Sequence, residues 1–265
     1  MTTQTAAFPN QIQSEWTKIR TVRSTLWSLV AMAGIALGLM SVIAWGVMSR
    51  WDRLDPRERL DLARHPLEIV LVRPVFIAQL VVAVIGVMAI SSEYTTGAIR
   101  STLQAQPRRL TVFLSKVVVL AALMLVVGEV LSFAGFFLGR QLISAHVPVN
   151  IGDPGVARAV MGAGLYVALL GLFSLAFGAI IRHTAGAITA VLGLVLIVSN
   201  LTGLLPDSWG AHVNAYMPTN AGQLIMQSAQ QPGDLLSPWQ GLAVFAAWTV
   251  LFLAVAAVLF KKRDA

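Results

Sequence analysis

The hydrophobic positions of the chain fall into six long runs that are separated by polar segments. Each run is close to the length of about 20 residues that a helix needs to cross the hydrocarbon core of a bilayer. Five runs contain no charged residue, and the third contains only Glu129. A segment in lipid must satisfy its own backbone hydrogen bonds, so each run is predicted to be an α-helix. The six predicted spans cover residues 27–48, 75–92, 117–139, 159–181, 184–205 and 239–260.

Composition agrees with a membrane protein and argues against several other classes. Of the 265 residues, 57% are hydrophobic and 12% are charged, and the mean hydropathy is +0.75. Soluble domains carry about 25% charged residues, so a soluble enzyme, a coiled coil and a disordered chain are poor interpretations. The predicted organisation is an N-terminal arm (1–26), an all-α, six-helix membrane domain (27–260) and a short tail (261–265).

No pattern of catalytic or metal-binding residues is visible in the sequence. The chain has no cysteine, which excludes disulfides, thiolate metal sites and cysteine nucleophiles. Its 4 histidines lack the H-E-x-x-H and H-x-x-x-H spacings of zinc sites. We therefore expect neither a catalytic residue nor a metal ligand in this chain.

The distribution of lysine and arginine predicts the orientation in the membrane. An even number of spans puts both termini on one side, and that side holds eleven of the 19 basic residues. The loop over residues 206–238, on the opposite side, has no lysine or arginine. Both termini are therefore predicted to be cytoplasmic. The net charge of +7 then indicates contact with anionic headgroups of the lipid bilayer rather than with nucleic acid.

The segment over residues 10–26 is too polar to cross the membrane but has helical periodicity. This pattern predicts a helix that lies in the membrane interface with its basic side toward the headgroups, and a soluble tail is the alternative. The residues concerned are Ile12, Trp16, Ile19 and Leu26 at the apolar positions and Lys18, Arg20 and Arg23 at the basic ones.

A further short helix is predicted between spans two and three. Thr95 or Thr96 can cap its start, and Pro107 ends it. One face of this helix would suit the groove of a soluble partner, although a solvated loop that follows the positive-inside rule fits the composition equally well. That face consists of Ala98, Ile99, Thr102, Leu103 and Gln106.

The same loop carries a resemblance to a known family. Its residues are Glu93-Tyr94-Thr95-Thr96-Gly97-Ala98-Ile99-Arg100-Ser101-Thr102-Leu103, followed by Pro107-Arg108-Arg109. This block resembles the cytoplasmic signature of ABC-2-type permeases, the membrane subunits of ATP-binding-cassette exporters, in the style of actinobacterial members. Supporting matches lie at residues 14–21, before the first span, and at residues 178–187, which include Arg182.

The resemblance implies roles that the residues alone do not show. The N-terminal amphipathic segment would be the elbow helix, residues 93–109 would form the coupling helix seated on an ABC ATPase subunit, and Arg182 would belong to a second contact with it. Two permease copies, identical or paralogous, would pair above two ATPases in a bacterial plasma membrane. The chain contains no Gly-Lys dipeptide and hence no Walker A motif. We therefore expect no cofactor on this chain, and ATP and Mg on the partner ATPase.

The predicted function is that of a permease subunit of an ATP-driven exporter of a small or amphiphilic molecule. The alternatives are an ATP-independent secondary transporter or channel and a membrane anchor or sensor that recruits an ATPase. Glu129 is the candidate for the substrate pathway because an intramembrane carboxylate is costly. A structural role at a helix contact is the competing interpretation of this residue.

Overall fold

The computed structural model describes residues 7–21, 23–106, 108–204 and 206–263, and these residues form helices and connecting turns without a β-strand. Twelve α-helices lie within these ranges: α1 (Ala7–Thr21), α2 (Arg23–Met48), α3 (Pro56–Arg64), α4 (Arg73–Thr95), α5 (Ala98–Ala105), α6 (Arg109–Ile143), α7 (Val156–Ile181), α8 (Thr184–Leu192), α9 (Ser199–Leu201), α10 (Asp207–Ala215), α11 (Pro218–Gln223) and α12 (Pro238–Lys262). Short 3-10 turns cover Trp51–Arg53, Thr202–Leu204 and Leu224–Met226.

Six helical stretches in the described ranges are long and apolar enough to span a membrane, which confirms the predicted all-α, six-span fold. Their bounds are Trp27–Met48, Glu68–Thr95, Arg109–Ile143, Val156–Ile181, Thr184–Leu201 and Pro238–Lys262. The second and third spans are longer than predicted, because charged residues at their ends continue the helices beyond the purely apolar run. The division into arm, membrane domain and tail stays a prediction.

Two spans contain a turn of π-helix that the periodicity does not indicate. One turn, Glu68–Val72, precedes α4, and the other, Gly193–Val198, joins α8 to α9 within the fifth span. A π turn inserts one extra residue into the helical ladder, so it shifts the faces on either side of it. The fifth span is therefore helical but does not present one continuous face.

The α7 helix lies at the centre of the fold, packed against α4, α6 and α12. Its small residues allow neighbouring backbones to approach. A Cβ built on Gly178 would lie 2.7 Å from the carbonyl oxygen of Val87 in α4, so glycine is required for this packing. On its other side, Phe173 contacts the rings of Phe245 and Phe252 in α12.

A buried helical segment closes the end of the bundle opposite to α5. It consists of α11 and the following 3-10 turn, and most of its side chains are buried against α7 and α12. The guanidinium of Arg158, at the start of α7, donates hydrogen bonds to the carbonyl oxygens of Gln227 (3.0 Å) and Ser228 (2.7 Å), just after this segment. These bonds supply acceptors for the partly buried Arg158 charge. They also pair two carbonyl oxygens that lie outside any helix and have no helical partner.

Candidate functional site

Four charged side chains form a closed set of ion pairs where α1, α4 and α6 meet. The Lys116 Nζ atom lies 2.8 Å from Glu15 Oε2 and 2.5 Å from Glu93 Oε1. The Lys18 Nζ atom lies 2.8 Å from Glu15 Oε1 and 3.1 Å from the same Glu93 oxygen. We call Glu15, Lys18, Glu93 and Lys116 the ion network; it links an N-terminal helix to two membrane spans.

Burial makes the pairing within the ion network obligatory. The exposed fraction of the side chain is 3% for Lys116 and 7% for Glu15, whereas it is 38% for Lys18. A buried charge without a partner is strongly destabilising, so Lys116 and Glu15 each require an opposite charge, whereas solvent can partly replace the charge of Lys18. Burial alone would lower the pKa of Lys18, but the hydrogen bond and the charge of Glu15, with those of Glu93, outweigh it and raise this pKa above the ordinary value.

The turn between α4 and α5 does not use the predicted threonine caps. The Thr95 and Thr96 hydroxyls donate to the carbonyl oxygens of Ser91 (3.1 Å) and Ser92 (2.9 Å) within α4. The prediction was wrong because α4 continues through Thr95, and these side chains bond back along it. The chain turns instead at Gly97, which precedes α5 with a φ of 73° and therefore favours glycine.

The two large apolar residues of the α5 face that the sequence offered to a soluble partner are turned toward the protein, whereas Ala98 of that face is exposed. Ile99 is 2% exposed, and Leu103 packs against the core. The exposed residues of α5 are Arg100, Ser101 and Gln104, together with the small residues Ala98 and Ala105. Ile99 is therefore not available to a partner in this arrangement, because the short helix buries it on the ends of its own spans. Contact of the rest of this face with a partner stays a prediction.

The turn between α7 and α8 lies directly beside the end of α4, which leads into α5. Arg182 ends α7 with a φ of 59°, and its guanidinium lies 5.0 Å from the centre of the Tyr94 ring. The Thr184 hydroxyl donates to Ser91 Oγ at 2.9 Å and lies 3.3 Å from Thr95 Oγ1. Two segments that the sequence predicts as separate contacts with a partner therefore form one continuous surface.

The structure separates the remaining predicted residues. Arg109 donates to the carbonyl oxygen of Arg263 at 2.5 Å, which joins the start of α6 to the end of α12. Trp16 is exposed, whereas the Lys18 ammonium group is paired within the ion network although its side chain is partly exposed. Lipid contact by this segment stays a prediction. Of the other predicted residues, Ile12 and Thr102 are partly buried and Arg20 and Arg108 are exposed, while Pro107 and the side chains of Ile19 and Arg23 lie outside the described residues.

Sequence reasoning missed Glu15 and Lys116 as members of this site. Lys116 is one of the eleven basic residues counted above for the orientation, and it directly precedes the long apolar run of the third span. Glu15 is the one acidic residue before Asp52 in a strongly basic arm. That isolated carboxylate was the available signal for a specific cationic partner.

The fold and this surface define a class of protein. The chain is a multi-pass α-helical membrane protein in which an N-terminal helix, a short helix between spans and a second turn meet at one end of the bundle. The sequence model of the family described as ABC-2 family transporter protein matches residues 3–265. The chain therefore belongs to the ABC-2 transporter family and is a membrane permease, which confirms the resemblance. No sequence among the curated proteins matches it.

Proposed function

We propose that this permease is the membrane subunit of an ATP-driven exporter in a bacterial plasma membrane. Two permease copies, or this chain and a paralogue, would work with a separate ABC ATPase that binds ATP and Mg. They would move a small or amphiphilic molecule outward. In this arrangement both termini, α5 and the α7–α8 turn face the cytoplasm.

The observation that carries the proposal is that α5 packs on one side against its own spans and is exposed on the other. Its exposed side, with Arg100 and Gln104, is free for a soluble partner, while Ile99 holds its other side in the protein. Just before α5, Glu93 is paired with Lys116 of α6. A force applied to the open face of α5 would therefore reach α4 and α6 directly, which is what a partner that drives transport requires.

Charge reversal on the open face of α5 tests this proposal. We expect Arg100→Glu to lower the amount of ATPase that co-purifies in mild detergent by about tenfold, since rim charges steer and orient association. The ATPase is identified by mass spectrometry and by its Walker A motif, and ATP-dependent transport is measured in vesicles. The matched control is Arg57→Glu, an exposed arginine on α3 that should change neither quantity.

Three outcomes would contradict the proposal. If the wild-type chain purifies alone and moves solute without ATP, it is a secondary transporter or channel. If an ATPase associates but no solute moves, the chain is an anchor or sensor. If Arg100→Glu and Arg57→Glu have equal effects, α5 does not hold the ATPase.

The orientation has its own test, because the chain contains no cysteine. Single cysteines at two exposed alanines report the two sides: Ala105→Cys at the end of α5 and Ala229→Cys in the loop before α12. A membrane-impermeant maleimide added to intact cells should label Ala229→Cys alone. Labelling of Ala105→Cys under these conditions would place α5 outside and overturn the proposed orientation.

A further inference from the structure

Glu129 lies within the apolar part of α6 and is half-buried. Its side chain packs against α7: a Cβ built on Gly164 would lie 2.5 Å from Glu129 Cδ and 2.6 Å from Glu129 Oε1. Within the part of the chain that the structure describes, no side chain forms an ion pair or a hydrogen bond with this carboxylate. The protein thus keeps a carboxyl group in the membrane, against a residue with no side chain of its own, without supplying a partner.

The stripe of α6 that carries Glu129 borders an apolar groove. A cavity of about 410 Å³ lies between α6, α7 and α12, and its lining is almost entirely apolar. Leu125 lines it on α6, and Glu129 follows one helical turn later on the same face. On α7, Ala168 lines the groove, and Gly164 lies one helical turn closer to Arg158 at the start of the helix. Glu129 therefore stands at the end of the groove that is remote from α5.

An aromatic ring stands at the same end of the groove. Trp239, in the first turn of α12, lines the groove and is 56% exposed. An indole ring attracts cations over its face, most strongly where water is scarce. A lipid acyl chain would fill the apolar groove but would leave the Glu129 carboxylate unpaired. A molecule with a positive charge and an apolar body would both fill the groove and pair with the carboxylate.

We propose that Glu129 and this groove bind a lipophilic monocation, with its charged group at Glu129 and its apolar body along α6 and α12. This inference rests on the proposed function, since it names the class of molecule that the exporter would carry. Binding itself, however, requires no ATPase and can be measured on the permease alone.

The test is equilibrium binding of tetraphenylphosphonium to the full chain in nanodiscs of phosphatidylcholine. Triphenylphosphine oxide, which is neutral and also carries aryl rings, reports the contribution of the groove without the charge. We expect Glu129→Gln to weaken binding of the cation by about tenfold or more, the equivalent of one charge-assisted contact. The same variant should leave binding of the neutral compound unchanged. Leu125→Trp, which fills the groove, should weaken binding of both compounds.

A matched control removes a different carboxylate. Glu68 is also half-buried at a membrane border, but it lies at the start of the second span, away from α12. Glu68→Gln should leave both affinities unchanged. Size-exclusion chromatography and circular dichroism confirm that each variant is folded before binding is measured.

The outcomes separate this inference from the proposed function. Absence of cation binding to the wild type, or equal cation affinities of wild type and Glu129→Gln, overturns the inference even if an ATPase associates and drives transport. Binding that depends on Glu129, together with transport that needs no ATPase, supports the cation site and overturns the exporter. Loss of binding in Glu68→Gln to the same degree as in Glu129→Gln would show that the groove is not the site.

Discussion

Replacement of Lys116 by methionine tests the ion network most directly. The methionine side chain has a similar length and is apolar, so it fills the same space but supplies no charge. In the wild type, Glu15 and Glu93 both contact Lys116. When the Lys116 ammonium group is lost, Lys18 is the remaining partner of these two carboxylates in the network. The replacement therefore leaves one negative charge in excess at the junction of α1, α4 and α6.

The burial of each lysine sets the expected magnitude. Lys116 is 3% exposed, and removal of one member of a buried ion pair costs about 3–5 kcal/mol. Lys18 is 38% exposed, and exposed ion pairs contribute roughly 0–1 kcal/mol, so Lys18→Met should cost much less. The double variant Lys116→Met, Glu93→Gln removes one charge of each sign and leaves Glu15 paired with Lys18. It should therefore be more stable than Lys116→Met alone.

The assay is denaturation of the purified chain by sodium dodecyl sulfate, followed by circular dichroism, in a cycle of the two single variants and the double variant. A spin-label distance between α1 and α5 shows in parallel whether α1 has moved. The reasoning is refuted if Lys116→Met costs no more than Lys18→Met. It is equally refuted if the double variant is as unstable as the sum of the two single variants, because independent charges would add in this way.

Three further predictions concern other parts of the molecule. Gly178→Val should lower the free energy of unfolding by roughly 1–3 kcal/mol through overpacking, whereas Gly38→Val, where the structure shows open space, should leave it nearly unchanged by the same denaturation assay. Arg158→Met should free the loop that begins at Gln227, and faster amide hydrogen exchange in this loop would show it; unchanged exchange would contradict the role of the Arg158 hydrogen bonds. The raised pKa of Lys18 means that its contribution to stability is fully present below its unfolded value of 10.5 and is lost as the pH rises through the folded value. Loss of stability at that pH should be smaller in Lys18→Met, and an identical profile would contradict the pairing.

The spans could be predicted from the sequence because lipid imposes a simple physical rule. A long apolar run in a bilayer has to be helical, whatever its neighbours are. The rule says nothing about the ends of a helix, where the chain returns to water. Hence α6 extends through Arg109 and Lys116, beyond the predicted run, and the caps at Thr95 and Thr96 were wrong. The π turn before Ser199 also depends on packing and leaves no trace in the periodicity.

The sequence located one segment of the candidate site but did not predict which residues pair with it. The motif block identified the segment from Glu93 to Arg109, but the partners of Glu93 come from residues 75 positions earlier and 23 positions later. Pairing over such distances depends on how the helices pack, which a single sequence does not encode in any local pattern. The burial of Ile99 could not be predicted for the same reason. A sequence shows that a helix face is apolar, but not whether this face is buried against a partner or against its own protein.

The α6 helix gives the two proposals a common physical basis. Lys116 and Glu129 are 13 residues apart in one uninterrupted helix, Arg109–Ile143, so about 20 Å separate them along its axis. The ion network holds the end of α6 that contacts α5, and the groove lies along its middle. A tilt of α6 that follows a displacement of α5 would therefore change the groove without a chain of separate contacts between the two sites. Coupling between the two sites requires that α6 adopt two positions whose equilibrium both sites bias. If the network were broken, α5 could move while α6 stayed in place, and binding at Glu129 would then no longer respond to the partner of α5.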